Sequence, residues 1–167
     1  EKPKIVQSMY FEGNSATWEH QDSYYGDSEK IGEMTAGWLA LEEIKADAGR
    51  FFICLESHKI DHGKQNINNN IADNHDIYKS EIISIIKSKN MKIKAPYMAT
   101  GDVLFWNSLT IHGSIDSQNE NFSRSSITMH AIPQNRKYLQ FHSRKIDLQT
   151  DDLENSLIYR PKDQSKF

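Results

Sequence analysis

His20 and Asp22 stand two residues apart in the run Thr17-Trp18-Glu19-His20-Gln21-Asp22. On an extended strand residues i and i+2 share a face, so an imidazole and a carboxylate there can converge without bending the backbone. A third ligand would have to come from elsewhere. His112 is available, and it follows the turn Gly101-Asp102 and the apolar run Val103-Leu104-Phe105-Trp106. Two histidines and one carboxylate form a facial set that leaves positions open on a metal such as non-haem Fe(II). The competing account of the pair is a strand end with a plain His–Asp hydrogen bond, because His-x-Asp alone is a common spacing.

Arg124 is the second chemical signal. The chain has fifteen lysines and five arginines, and Arg124 is the only arginine between Arg50 and Arg136. It opens an apolar strand, where a charge has no evident structural purpose. A guanidinium grips a carboxylate with two parallel N–H donors, which a lysine cannot copy. On that strand Arg124, Ser126, Thr128 and His130 share one face, and Ser125, Ile127, Met129 and Ala131 share the other. A polar row headed by arginine suits a small dicarboxylic acid reaching from Arg124 to the metal. The alternative is an arginine paired with a surface acid at a strand start.

The elements that must position these residues are mainly strands. Short runs rich in aromatic and β-branched residues occur at about 5–11, 17–20, 35–44, 50–55, 102–106, 125–133 and 138–142, separated by turn cues such as Asp47-Ala48-Gly49. An Asn-rich loop over 57–74 precedes one amphipathic helix, in which Tyr78, Ile82, Ile83, Ile85 and Ile86 recur at helical spacing and Asn74 or Asp76 could cap the start. The expected fold is mainly β, a double-stranded β-helix of the jelly-roll or cupin-like barrel kind with one inserted helix. Residues 1–142 form the core, 57–90 an insertion that could act as a lid, and 143–167 a polar surface tail. Trp38 and Trp106 have core packing as their ordinary role. His58, Asp61 and His62 read as loop decoration rather than a second metal cluster.

Composition narrows the function classes. The chain has 167 residues, 20 Lys and Arg against 23 Asp and Glu, and a formal net charge of -3. With charges scattered and no basic excess, nucleic acid is not an expected partner. No apolar run approaches the ~20 residues of a membrane span, so no membrane partner is expected either. Cys54 cannot form an internal disulfide, and no leader pattern is visible, which makes a cytoplasmic setting the simplest expectation.

Several motifs in one order carry a resemblance. Thr17-Trp18-Glu19-His20-Gln21-Asp22-Ser23-Tyr24-Tyr25 is followed by Gly37-Trp38-Leu39-Ala40-Leu41 and Glu56-Ser57-His58-Lys59. Then come Gly101-Asp102-Val103-Leu104-Phe105-Trp106, His112-Gly113-Ser114 and Arg124-Ser125-Ser126-Ile127-Thr128. From about Gln7 to Pro133 the chain resembles the phytanoyl-CoA dioxygenase family. The resemblance implies an oxygenase using Fe(II), 2-oxoglutarate and O₂. His20, Asp22 and His112 match the iron ligands, and Arg124 matches the residue that binds the distal carboxylate of 2-oxoglutarate. Trp38 and Ser114, with Thr17 and Gln21 less directly, fall at positions near the co-substrate, and Ser126 joins them from strand geometry alone. The family's largely helical segment before the His-x-Asp strand is absent, so the chain looks like a catalytic core.

The expected reaction is hydroxylation of an unactivated C–H bond in a small molecule, with succinate and CO₂ released. Halogenation is disfavoured because the ligand carboxylate is present, while desaturation or ring closure stays open. Two other classes compete. A cupin-like isomerase or epimerase would need neither O₂ nor 2-oxoglutarate, and more often shows His-x-His. A metal-free jelly-roll binding module would leave Arg124 and the two separated histidines without a joint purpose.

Overall fold

The computed structural model describes residues 2–13, 15–60 and 71–160, and side chains 71–74 are left aside. Its strands are β1 (Pro3–Phe11), β2 (Thr17–His20), β3 (Gly26–Ser28), β4 (Thr35–Ala40), β5 (Phe51–Cys54), β6 (Ile93–Lys94) and β7 (Val103–Asn107). They continue with β8 (His112–Ser114), β9 (Ser126–Pro133), β10 (Tyr138–Gln140), β11 (Arg144–Ile146), β12 (Thr150–Asp152) and β13 (Leu157–Tyr159). Among the described residues one α-helix, α1 (Ile71–Ser88), lies between β5 and β6. This is the mainly β, double-stranded β-helix architecture with an inserted helix. Among the described residues no helix is long and apolar enough to cross a membrane.

Two sheets enclose the region that matters for chemistry. The larger runs β12-β13-β1-β9-β4-β7, and the smaller runs β2-β8-β5-β6. Alternation along β9 buries Ser126, Thr128, His130 and Ile132 and leaves Met129 exposed. On β4 the same period buries Ala36, Trp38 and Ala40. Phe51 of the smaller sheet lies against Trp38 and Trp106 of the larger, with ring centroids 5.7 and 4.8 Å apart. These aromatic contacts close the space between the sheets at one end.

Below the smaller sheet a second apolar cluster seats the helix. Tyr78 and Ile82, one turn apart on α1, are buried with Tyr24, Phe52, Cys54 and Ile111. Burying one such side chain stabilises the fold by about 1.5–3 kcal/mol, so this stripe explains why α1 stays docked. Tyr24 and Tyr78 stack with centroids 3.7 Å apart, and the Tyr78 hydroxyl accepts the Gln21 backbone N–H at 2.7 Å. The helix is thereby tied to the segment that carries His20 and Asp22. The helix begins at Ile71, before either expected cap, and the stretch 61–70, with Asp61 and His62, lies outside the described residues.

The expected strand over 35–44 and the expected polar tail take other forms. β4 ends at Ala40 rather than running to Ile44, because the Glu42 carboxylate accepts from the Ser125 backbone and the Ser123 hydroxyl and turns the chain. Ile44 keeps only an isolated bridge to Met98. The segment expected as a polar tail forms β11, β12 and β13, and β13 lies parallel to β1 through Lys4↔Leu157 and Ile5↔Ile158. Asp27, buried on β3, accepts from the Ser28, Gly32 and Met34 backbone N–H groups and the Ser108 hydroxyl. It fixes the loop before β4 against the end of β7.

Candidate active site

His20 and His112 are cross-strand partners in the β2–β8 pair, and their ring centroids lie 4.3 Å apart. Gly113 permits this approach: a Cβ there would stand 2.6 Å from the Thr17 carbonyl oxygen and 2.8 Å from Phe52. Each imidazole is oriented through its Nδ1, at 2.8 Å from the Trp18 carbonyl for His20 and 2.9 Å from the Thr110 carbonyl for His112. With Nδ1–H donating to a carbonyl, Nε2 keeps its lone pair and points inward. Asp22 follows β2 at the start of a 3-10 turn, Asp22–Tyr24. Its Oδ1 lies 3.7 Å from His20 Nε2 and 3.5 Å from His112 Nε2. One ligand atom from each of His20, Asp22 and His112 falls within 4.8 Å of the others. Two imidazole nitrogens and one carboxylate oxygen on a common face fit a divalent first-row metal that keeps open positions.

The second oxygen of Asp22 faces the larger sheet. Trp106 Nε1–H donates to Oδ2 at 2.8 Å, and His130 Nε2 stands 3.4 Å from the same oxygen. Burial alone would raise the Asp22 pKa. The His112 charge and the hydrogen bonds from His112 and His130 outweigh it and hold the carboxylate well below its usual range. Burial, then the neighbouring His112, push His20 down to about 4. Burial would lower His112, but the Asp22 charge and hydrogen bond prevail and raise it. The trio thus places an anion between an imidazole whose proton affinity is lowered and one whose proton affinity is raised.

Arg124 lies in the same cavity, a space of about 230 Å³ between the sheets. The side chain is 6% exposed. One Nη donates to the Gly49 carbonyl and the other, at 3.3 Å, to the Ser15 carbonyl. Its buried Nε has no hydrogen-bond partner among the described residues. Nor does any described carboxylate form an ion pair with it, so the surface-acid alternative is not what the structure contains. Burial pulls its pKa down. A desolvated cation without an anion is costly unless a ligand supplies the charge.

The structure gathers His20, Asp22, His112, Arg124, Thr17, Trp38 and Ser114 on one cavity wall or another. Ser114 also accepts the Thr17 backbone N–H through its hydroxyl at 2.9 Å, which ties β2 to β8. Two other candidates lie away from the lining. Gln21 is fully buried, with its amide donating to the Ile60 and Leu109 carbonyls. Ser126 is buried with its hydroxyl on the Arg124 carbonyl. The sequence reading assigned no site role to Trp106, His130, Met9, Phe11 or Phe51, all of which line the cavity. For His130 a signal existed, since it shares a strand face with Arg124.

A family model described as phytanoyl-CoA dioxygenase (PhyH) matches residues 4–126, well over half of the chain. The chain belongs to the phytanoyl-CoA dioxygenase family. No curated protein matches it at a significant level. Solved structures agree with the family's fold. The non-haem α-ketoglutarate-dependent carbocyclase SnoK from nogalamycin biosynthesis is similar at 15% identity and a TM-score of 0.62, over 82% of this chain and 52% of that one. The epimerase SnoN, solved with Fe³⁺, α-ketoglutarate and nogalamycin RO, gives 14% identity and 0.62 over 94% and 60%. EctD from S. alaskensis, solved with 2-oxoglutarate and 5-hydroxyectoine, gives 16% and 0.60 over 82% and 46%. This phytanoyl-CoA dioxygenase family member therefore spans about half the length of those structures.

Proposed function

We propose that the chain is the catalytic core of an Fe(II)- and 2-oxoglutarate-dependent oxygenase that hydroxylates a C–H bond of a small molecule, with release of succinate and CO₂. The observation that carries this reading is a three-ligand face and an anion-free buried arginine sharing one cavity. In it, His20 Nε2, Asp22 Oδ1 and His112 Nε2 would hold the iron, and Arg124 would bind the distal carboxylate of 2-oxoglutarate. When bound, the iron and 2-oxoglutarate together activate O₂, with decarboxylation of the co-substrate as the source of oxidising power.

The chain's own residues prepare that chemistry. Arg124 offers a charge and an unused N–H donor to an incoming carboxylate, and its carbonyl partners keep the guanidinium plane fixed. Trp38, Trp106 and Phe51 form a dry wall beside His112, which excludes water where a reactive species would otherwise be quenched. Met9 and Phe11 supply an apolar wall from β1 on which the carbon skeleton of a substrate can rest. Ring closure and epimerisation, named for the similar SnoK and SnoN, would use the same arrangement with a differently placed substrate.

The test is an anaerobic titration with Fe(II) and then 2-oxoglutarate, following the visible charge-transfer band of the chelate in wild type and in Asp22→Ala. A band in wild type that disappears in the variant supports the oxygenase. Bound metal with no band on adding 2-oxoglutarate would instead fit a metal-dependent isomerase of the same fold.

A further inference from the structure

The outer oxygen of Asp22 is held by a built arrangement. Trp106 on β7 and His130 on β9 flank Ala36 of β4, in a row fixed by the pairs Ala36↔Trp106 and Ala36↔His130. Strands two apart in a sheet are separated by about 9–10 Å, and the methyl of Ala36 leaves a notch between the two larger side chains. The Asp22 carboxylate enters from the opposite sheet and meets both: Oδ2 is 2.8 Å from Trp106 Nε1 and 3.4 Å from His130 Nε2. The two rings stand perpendicular, with centroids 6.3 Å apart. Trp106 donates a hydrogen bond to Oδ2 and His130 Nε2 faces the same oxygen at ion-pair distance, while Oδ1 is the oxygen turned toward His20 and His112.

His130 bears a cost in this place. It is 4% exposed, and its Nδ1 is buried without a partner among the described residues. An apolar side chain of similar size would avoid that desolvation. The cost has a return if Nε2–H is needed at Oδ2. A carboxylate free to rotate could present both oxygens to a metal and occupy two positions, whereas one tethered through Oδ2 presents Oδ1 alone.

We propose that Trp106 and His130 are positioning residues that clamp Asp22 through Oδ2, so that it offers a single oxygen to the metal and leaves the remaining positions free. The inference rests on the metal site proposed above and adds two residues to it. Neither touches the metal or the substrate's reacting atoms in this role. Both act through Asp22.

Co(II), which is stable in air and has informative ligand-field bands, is the probe. Affinity and visible spectrum are measured for wild type, His130→Phe, His130→Gln, His130→Asn, Trp106→Phe and Asp22→Ala, each checked for a cooperative thermal transition. Loss of either donor is expected to weaken Co(II) binding by about 10–100-fold, the usual effect of removing a group that orients a ligand, and to shift the bands as the carboxylate changes its mode. His130→Gln, whose amide N–H reaches the former Nε2 position, restores affinity and spectrum, whereas the shorter His130→Asn does not. Folded His130→Phe with wild-type affinity and spectrum overturns the clamp. If that variant does not fold, equal binding by the Gln and Asn variants, or wild-type binding by Trp106→Phe, overturns it instead. A wild-type protein that takes up no Co(II), or does so equally well as Asp22→Ala, overturns the metal site and the clamp together. Asp22-dependent binding indifferent to Trp106 and His130 overturns the clamp alone.

Discussion

The larger sheet buries polar groups on its inner face and exposes large apolar residues on its outer face. Its inner face carries Arg124 at its entry, then Ser126, Thr128 and His130, all buried. The outer face presents Tyr10, Val103, Phe105 and Met129, between 43% and 69% exposed. A sheet whose only task was to cover a core would place its apolar side inward. Here the inner face is mixed: Ala36, Trp38, Ala40 and Trp106 belong to an apolar core cluster, and the buried polar row of β9 lies beside them. Under the proposed function, the polar row of the inner face is the part desolvated for binding, and the fold carries that cost there.

The largest effect belongs to Asp22→Ala, which under the proposed function is expected to abolish 2-oxoglutarate turnover in a succinate-release assay, because it removes one proposed ligand and leaves Trp106 and His130 facing a void. Next is Arg124→Lys, expected to raise the Kd for 2-oxoglutarate about 10–100-fold, the equivalent of one charge-assisted hydrogen bond. Isothermal titration with the metal-loaded protein measures it, and an unchanged Kd would remove Arg124 from its proposed role.

Gly113→Ala should destabilise the fold by about 1–3 kcal/mol, read from urea unfolding. It forces the Thr17 carbonyl away from β8, so metal affinity should fall with stability. On the outer face, Met129→Thr, next to Thr128 on the same strand, should change stability by no more than about 0.5 kcal/mol and leave metal uptake untouched. A large loss of metal binding in that variant would show that the two faces are not independent.

The smallest effect separates two arginines. Arg136 forms a fork with Glu33, at 2.8 and 3.3 Å, in contact with solvent, whereas Arg124 is buried with no acid beside it among the described residues. The hydrogen bonds from Arg136 and Lys30 hold Glu33 at about 2, below its usual 4.5. A depressed folded pKa contributes stability that is fully present above 4.5 and is lost as the pH falls toward 2. The stability difference between wild type and Glu33→Gln should therefore shrink across that window, and added salt should reduce it at neutral pH. A difference that grows on acidification would contradict this pairing.

Legibility followed the range of the information. The His-x-Asp pair was readable from its residue types and spacing, although Asp22 stands in the 3-10 turn after β2 and not on the strand; the polar row from Ser126 to His130 was readable from strand periodicity. The turn Gly101-Asp102 before β7 was also local, with Asp102 accepting the Ala99 backbone N–H. By contrast, the indole of Trp106 had an obvious local role in packing. Its bond to Asp22 spans 84 positions and depends on how two sheets face each other. The three short strands from Arg144 onward had no alternation long enough to distinguish them from a polar tail. β13 exists because β1 offers it an edge.

The sequence by itself therefore determined the chemical inventory of this family member: a carboxylate and two imidazoles at usable positions, an isolated arginine, and strands whose period sorts side chains between two faces. Tertiary structure alone decided which of those faces became a cavity, which oxygen of Asp22 turns toward the histidines, and that Arg124 is met by the carbonyls of Ser15 and Gly49 rather than by an acid. Backbone carbonyls carry no side-chain identity, and contacts between sheets depend on the packing of many residues at once. Neither is written at any single position of the chain.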